Sequence, residues 1–178
     1  MSQVTNSPQT MADDATVGTR AWSTVNNAKV SDDVYATATV SGISHYLKAT
    51  NFGFSIPTGA TINGILVEIE RKHASDVIYT IDSIVKIVKA DGTFGTTNKA
   101  DTATHWTTTD TYKSYGSSSD LWGETWDSTK INDVDFGVGL SIEGFVGTGV
   151  SYVDHIRITV YYTEAAGGTN NMVLVWGA

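Results

Sequence analysis

The chain has 178 residues, a formal net charge of −8, a pI near 4.7 and no cysteine. That length fits one domain, and the missing thiols exclude disulfide scaffolds, thiol catalysis and Cys-ligated zinc. An acidic surface repels nucleic-acid phosphates and anionic lipid, so neither is an expected partner.

Hydrophobic residues make up 40% and charged residues only 17%, so there is enough for a core, and the surface is finished by uncharged polar groups. The abundance of Thr, Val, Ile and Tyr suits pleated, half-buried positions and predicts an all-β chain. No apolar run approaches the roughly 20 residues that span a bilayer. The opening MSQVTNSPQTMADD shows neither the basic nor the apolar region of a secretory signal, so none is expected there.

In chain order, residues 1–20 are polar and read as a flexible N-terminal arm. Residues 34–40 alternate, with Val34, Ala36, Ala38 and Val40 on one side, until Ser41-Gly42 breaks the run. Residues 46–54 make the next predicted strand. After the Pro57-Thr58-Gly59 turn, residues 62–71 alternate cleanly: Ile65, Val67 and Ile69 point one way, Leu66, Glu68 and Glu70 the other. That period of two marks a sheet with one dry face. Residues 77–89 form a longer strand whose alternation slips at Asp82-Ser83, the signature of a bulge or of burial on both sides. Asp91-Gly92 is a hairpin turn.

Residues 98–133 are irregular and rich in aromatics and turn formers, a long excursion expected to cross one end of the sheets. Asp127 caps a predicted single helical turn. Phe136, Val138, Leu140 and Ile142 then alternate with Gly137, Gly139, Ser141 and Glu143, and the two glycines imply close approach of another backbone or ring. After Gly147-Thr148-Gly149 comes a last long strand, with Ile156, Ile158, Val160 and Tyr162 inward and His155, Arg157 and Thr159 outward. AAGGTNN reads as a linker to the apolar MVLVWGA. The expected fold is an all-β, two-sheet antiparallel sandwich, jelly-roll-like. Its expected divisions are the arm (1–20), the sandwich (21–164) and a linker with an apolar C-terminal strand (165–178).

The search for chemistry gives no catalytic residue and no cofactor. His45, His73, His105 and His155 lack metal-ligand spacing, so no metal is expected. Asp13-Asp14, Asp32-Asp33 and Asp133/Asp135 fit turns and caps better than a calcium site. Asp82 and Asp154 stand inside apolar strands and are expected to be buried structural polar groups, with Arg157 and Lys86 the basic residues nearest in sequence. Trp106, Tyr112, Tyr115, Trp122 and Trp126, all in the excursion, are candidate glycan-stacking or interface aromatics; the plainer reading is that they close the core. Met172, Val173, Leu174, Val175 and Trp176 are the candidate partner-binding strand, by addition to a neighbour's sheet edge or to its own.

Several segments carry a resemblance: Trp22 with Asn26-Asn27-Ala28, LKATNFGFSIPTGATINGILVEIE, Asp82 in its strand, YGSSSDLWGETW followed by IND and FGV, and VDHIRITVYYT. Together they cover most of residues 20–163 and resemble a group of bacteriophage and prophage virion-associated β-sandwich proteins. The resemblance implies a non-enzymatic virion structural protein, such as a capsid decoration protein, head spike or fibre, or tail-associated module. It implies assembly in the host cytoplasm, capsid or other virion proteins as partners, and a homo-oligomer, a trimer favoured. The alternative is a sandwich-type carbohydrate-binding module that takes a host glycan on the loop tryptophans.

Overall fold

The computed structural model describes residues 1–74 and 79–165. These form strands β1 (Ser2–Asn6), β2 (Thr10–Asp14), β3 (Trp22–Ser23), β4 (Ala36–Ile43), β5 (Tyr46–Thr50), β6 (Thr61–His73), β7 (Thr80–Val88), β8 (Thr111–Gly116) and β9 (Gly137–Thr163), with a one-turn helix α1 (Ser128–Ile131). Met172 to Trp176, the candidate partner strand, lie outside the described residues.

Two antiparallel sheets pack on each other. The first runs β7, residues 137–144 of β9, β5, β2. The second runs β8, β6, residues 149–163 of β9, and then β1 and β4 end to end, with β3 beside β4. Successive strands mostly alternate between the two sheets.

The inward residues are the ones the alternation predicts. Ile65, Val67 and Ile69 of β6 and Ile156, Ile158 and Val160 of β9 are all fully buried. They share one core with Val138, Leu140 and Ile142 from the other half of β9. Each such side chain contributes about 1.5–3 kcal/mol relative to exposure, so this stripe drives the sandwich together.

Four expectations change. The N-terminal arm is not free: β1 pairs with β9 from Ser2↔Tyr162 to Asn6↔Ile158, and β2 pairs with β5. Both are wet strands, each with little apolar content (Val4 and Met11 against the core), so composition hid them. The break at Gly147-Thr148-Gly149 is not a strand end either. β9 is one continuous 27-residue strand that turns a corner and serves both sheets, as strands that switch sheets do through bends. Nor does Ser41-Gly42 end β4, which runs on to Ile43 with a register shift between Val40 and Gly42. Finally, the 98–133 excursion does not cross an end; it runs along a side. Lys99 N donates to Val85 O and Trp106 N to Thr80 O, which covers the edge of β7. The chain then adds β8 to the edge of β6, and Asp120 O accepts from Ile65 N. Both edges carried unpaired backbone groups, and the excursion satisfies them.

Other expectations hold. β7 shifts register between Asp82 and Ile84, the predicted bulge. Asp127 caps α1, its Oδ1 accepting from Lys130 N at 2.9 Å. Gly137 and Gly139 of β9 do admit neighbours: a Cβ on Gly137 would strike the Ala49 carbonyl oxygen, and one on Gly139 would lie 2.5 Å from Phe94 Cε1.

Candidate functional site

Among the described residues Asp82 is a fully buried carboxylate. Its Oδ1 pairs with the Arg71 guanidinium and accepts from Trp106 Nε1 at 2.8 Å. Its Oδ2 accepts from Tyr115 OH at 2.8 Å and from Asp101 N at 3.0 Å. The Arg71 guanidinium also lies 4.5 Å from the Trp106 ring centre. Burial lowers its pKa to about 10, so it stays charged at neutral pH. The partner of Asp82 is therefore a residue on the neighbouring sheet's β6, not Lys86 or Arg157. Every lone pair direction of the carboxylate is spoken for, which describes a structural lock joining β6, β7 and the excursion.

Asp154 is buried too, for a different reason. Glu70 faces His155 and Arg71 faces Val153, so β9 carries one extra residue there. Val153 and Ile156 both belong to the core, so the bulge turns Asp154 and His155 together to the outer face of the sheet. The sequence rule that neighbours face opposite sides fails at this point. Asp154 accepts only two long bonds, from Asp32 N at 3.4 Å and Asp33 N at 3.3 Å. Burial, then the nearby Glu70 and Asp110, holds its carboxyl above the usual range. Arg157 instead grips Glu68 through two bonds of 2.8 and 3.0 Å.

His155 bridges Ser7 Oγ on Nε2 and Tyr112 OH on Nδ1, both at 2.8 Å. Burial, then Arg157, lowers its pKa, so the ring is neutral at pH 7. A Ser–His contact is the first half of a nucleophilic triad, but here a phenol stands where a carboxylate would stabilise the imidazolium. Burial raises the Tyr112 phenol as well, which keeps it neutral. The arrangement ties the segment after β1 to β8; it does not charge a nucleophile. No sequence spacing joins Ser7, Tyr112 and His155, which only the sheet brings together. Among the described residues, no group of three or more His, Asp or Glu is placed to hold a metal ion. The paired aspartates serve turns: Asp14 accepts from Thr16 N, Asp32 from Val34 N and Asp133 from Asp135 N.

The five candidate aromatics divide. Trp106, Tyr115 and Trp122 are core residues, at 4%, 4% and 1% exposure, so they offer no platform to a ligand. Trp122 Nε1 donates to Ile65 O at 2.9 Å, and a Cβ on Gly116 would lie 2.8 Å from that nitrogen. Tyr112 is half-buried and committed to His155. Trp126 lines a groove of about 290 Å³ with Lys89, Ala90, Asp91, Glu124, Thr125 and Lys130, while Trp106 and Tyr112 border a smaller hollow of about 110 Å³ beside Arg71, His105 and Lys113. The hairpin after β7 forms one wall of the groove and the segment leading into α1 the other. The Asp91-Gly92 turn and the Asp127 cap were visible in sequence; their meeting was not.

A second surface is apolar. At one end of the first sheet, Gly42 faces Gly144 on β9, Ile43 faces Glu143, and Phe145 N donates to Tyr79 O. Ile43 at the end of β4 and Tyr79 just before β7 thus flank Phe145 within β9, at 37%, 41% and 54% exposure. No protein-family model matches the chain, and no curated protein shows significant similarity to it.

Proposed function

We propose that this protein is a bacteriophage virion structural component, a capsid decoration or head spike/fibre subunit, acting by protein–protein attachment and not by catalysis. The observation that carries the reading is the exposed row of Ile43, Tyr79 and Phe145, three large apolar side chains where the two sheets share β9. Apolar side chains grouped this way favour a partner over water. The segment resemblance over residues 20–163 supports the same role. So does the internal use of the polar clusters, whose groups are spent on holding strands together. The partners are capsid or other virion proteins and further copies of the chain, with a trimer favoured, and the apolar Met172–Trp176 run is a second contact segment on sequence grounds.

The experiment is antibody labelling of particles purified from a culture carrying the gene, with the protein's mass in solution measured by light scattering. The reading expects particle-bound label and an oligomer. It also expects that Tyr79→Ser with Phe145→Ser, or removal of residues 171–178, releases the label while the fold persists. Particles free of the protein, or full occupancy by both variants, would refute it.

A further inference from the structure

We propose that the groove beside Trp126 binds a short saccharide. The inference does not rest on the virion reading, and its test uses the isolated protein.

The groove combines the three things a sugar needs. First, Trp126 Nε1 is already bonded to Leu121 O at 2.9 Å, so the ring has only apolar surface to present. A pyranose has one face of C–H bonds, and such a face seats on the electron-rich face of an indole. Second, the rim holds two carboxylates and two ammonium groups, Asp91 and Glu124 with Lys89 and Lys130. Hydroxyls both donate and accept, so a polyhydroxylated ring can use both signs at once. A phosphate would meet two carboxylates beside the lysines, and a flat apolar ligand would cover charges without bonding them. Third, the space of about 290 Å³ lies at the small end of ligand pockets and suits a short saccharide.

The walls are held in place without a ligand. Asp91 accepts from Thr93 N at 3.0 Å and Thr93 Oγ1 at 2.6 Å, which fixes the hairpin. Lys48 Nζ donates to Gly92 O at 3.3 Å from below. On the other side Lys130 Nζ donates to Thr125 O at 2.9 Å. The Trp126 ring meets the buried Phe136 edge-on, with centres 5.2 Å apart. A site built before binding loses little to ordering when it binds.

The test is saturation-transfer NMR on the full chain with glucose, galactose, N-acetylglucosamine, glucuronic acid and N-acetylneuraminic acid at millimolar concentration. At least one sugar should receive saturation at its ring protons. Trp126→Ala should abolish it. Glu124→Gln, which leaves the ring and its packing alone, should weaken binding roughly tenfold, the effect of one hydrogen bond to a charged group. If Trp126→Ala unfolds, Glu124→Gln decides. Silence across the panel overturns the proposal, as does binding that is the same in the wild type and in Glu124→Gln. Neither result bears on whether the protein sits on a particle.

Discussion

Asp82→Ala should be among the most damaging single substitutions in this chain. It removes one carboxylate and strands three buried donors, the Arg71 guanidinium, Trp106 Nε1 and Tyr115 OH, and the part-buried Asp101 N. Arg71 is 6% exposed, and a guanidinium holds its proton far above pH 7, so the charge stays buried without its partner. Removing one partner of a buried pair costs about 3–5 kcal/mol. At this chain length each kcal/mol lowers Tm by roughly 2–4 °C, so the expected drop is about 6–20 °C. Arg71→Met in the same chain takes away the stranded charge. The double variant should therefore lose less than the two single losses added, by about 2 kcal/mol or more. Thermal unfolding followed by circular dichroism measures all three. A drop below about 3 °C for Asp82→Ala, or strict additivity in the cycle, would show that the carboxylate does not lock β6, β7 and the excursion together.

Three further outcomes follow. His155 has a lowered pKa when folded, so the stability linked to it is present above the ordinary histidine value near 6.5 and is lost as pH falls below it. Melting curves from pH 7 to pH 5 should fall in the wild type and flatten in His155→Gln; equal slopes would remove the histidine from the account. Asp154 runs the other way. Its raised carboxyl costs stability once it ionises, so Asp154→Asn should be the more stable form at pH 7, with the gain vanishing as pH falls through the usual carboxylate range. In the sheet, Gly137→Ala should cost more than Gly139→Ala. The first meets the Ala49 backbone and the second the Phe94 ring, which can move. Overpacking of this kind costs about 1–3 kcal/mol, and paired thermal melts would expose a reversed order.

Much of the sandwich was legible in residue order, and the polar sites much less so. Ile65, Val67 and Ile69 announce their face because a strand repeats every two residues. The slip at Asp82-Ser83 and the cap at Asp127 were legible for the same reason: each is decided within a few residues. β1 and β8 were not, because edge strands are wet on one side and carry few apolar residues. For the aromatics, the plainer reading that they close the core holds at Trp106, Tyr115 and Trp122. Trp106 and Trp122 occupy a segment that reads as loop, yet their exposures of 4% and 1% place them in the core, while Trp126 a few residues on lines the groove.

What the sequence by itself determined is the period of its strands, hence two faces and an all-β core, since hydrophobic alternation acts between near neighbours. What only the tertiary structure decided is who meets whom. Arg71 reaches Asp82, His155 joins Ser7 to Tyr112, and the hairpin at Asp91 comes to stand across from Trp126. Those meetings depend on which strand edges pair and where β9 turns its corner, and pairing between distant segments leaves no local periodicity to read.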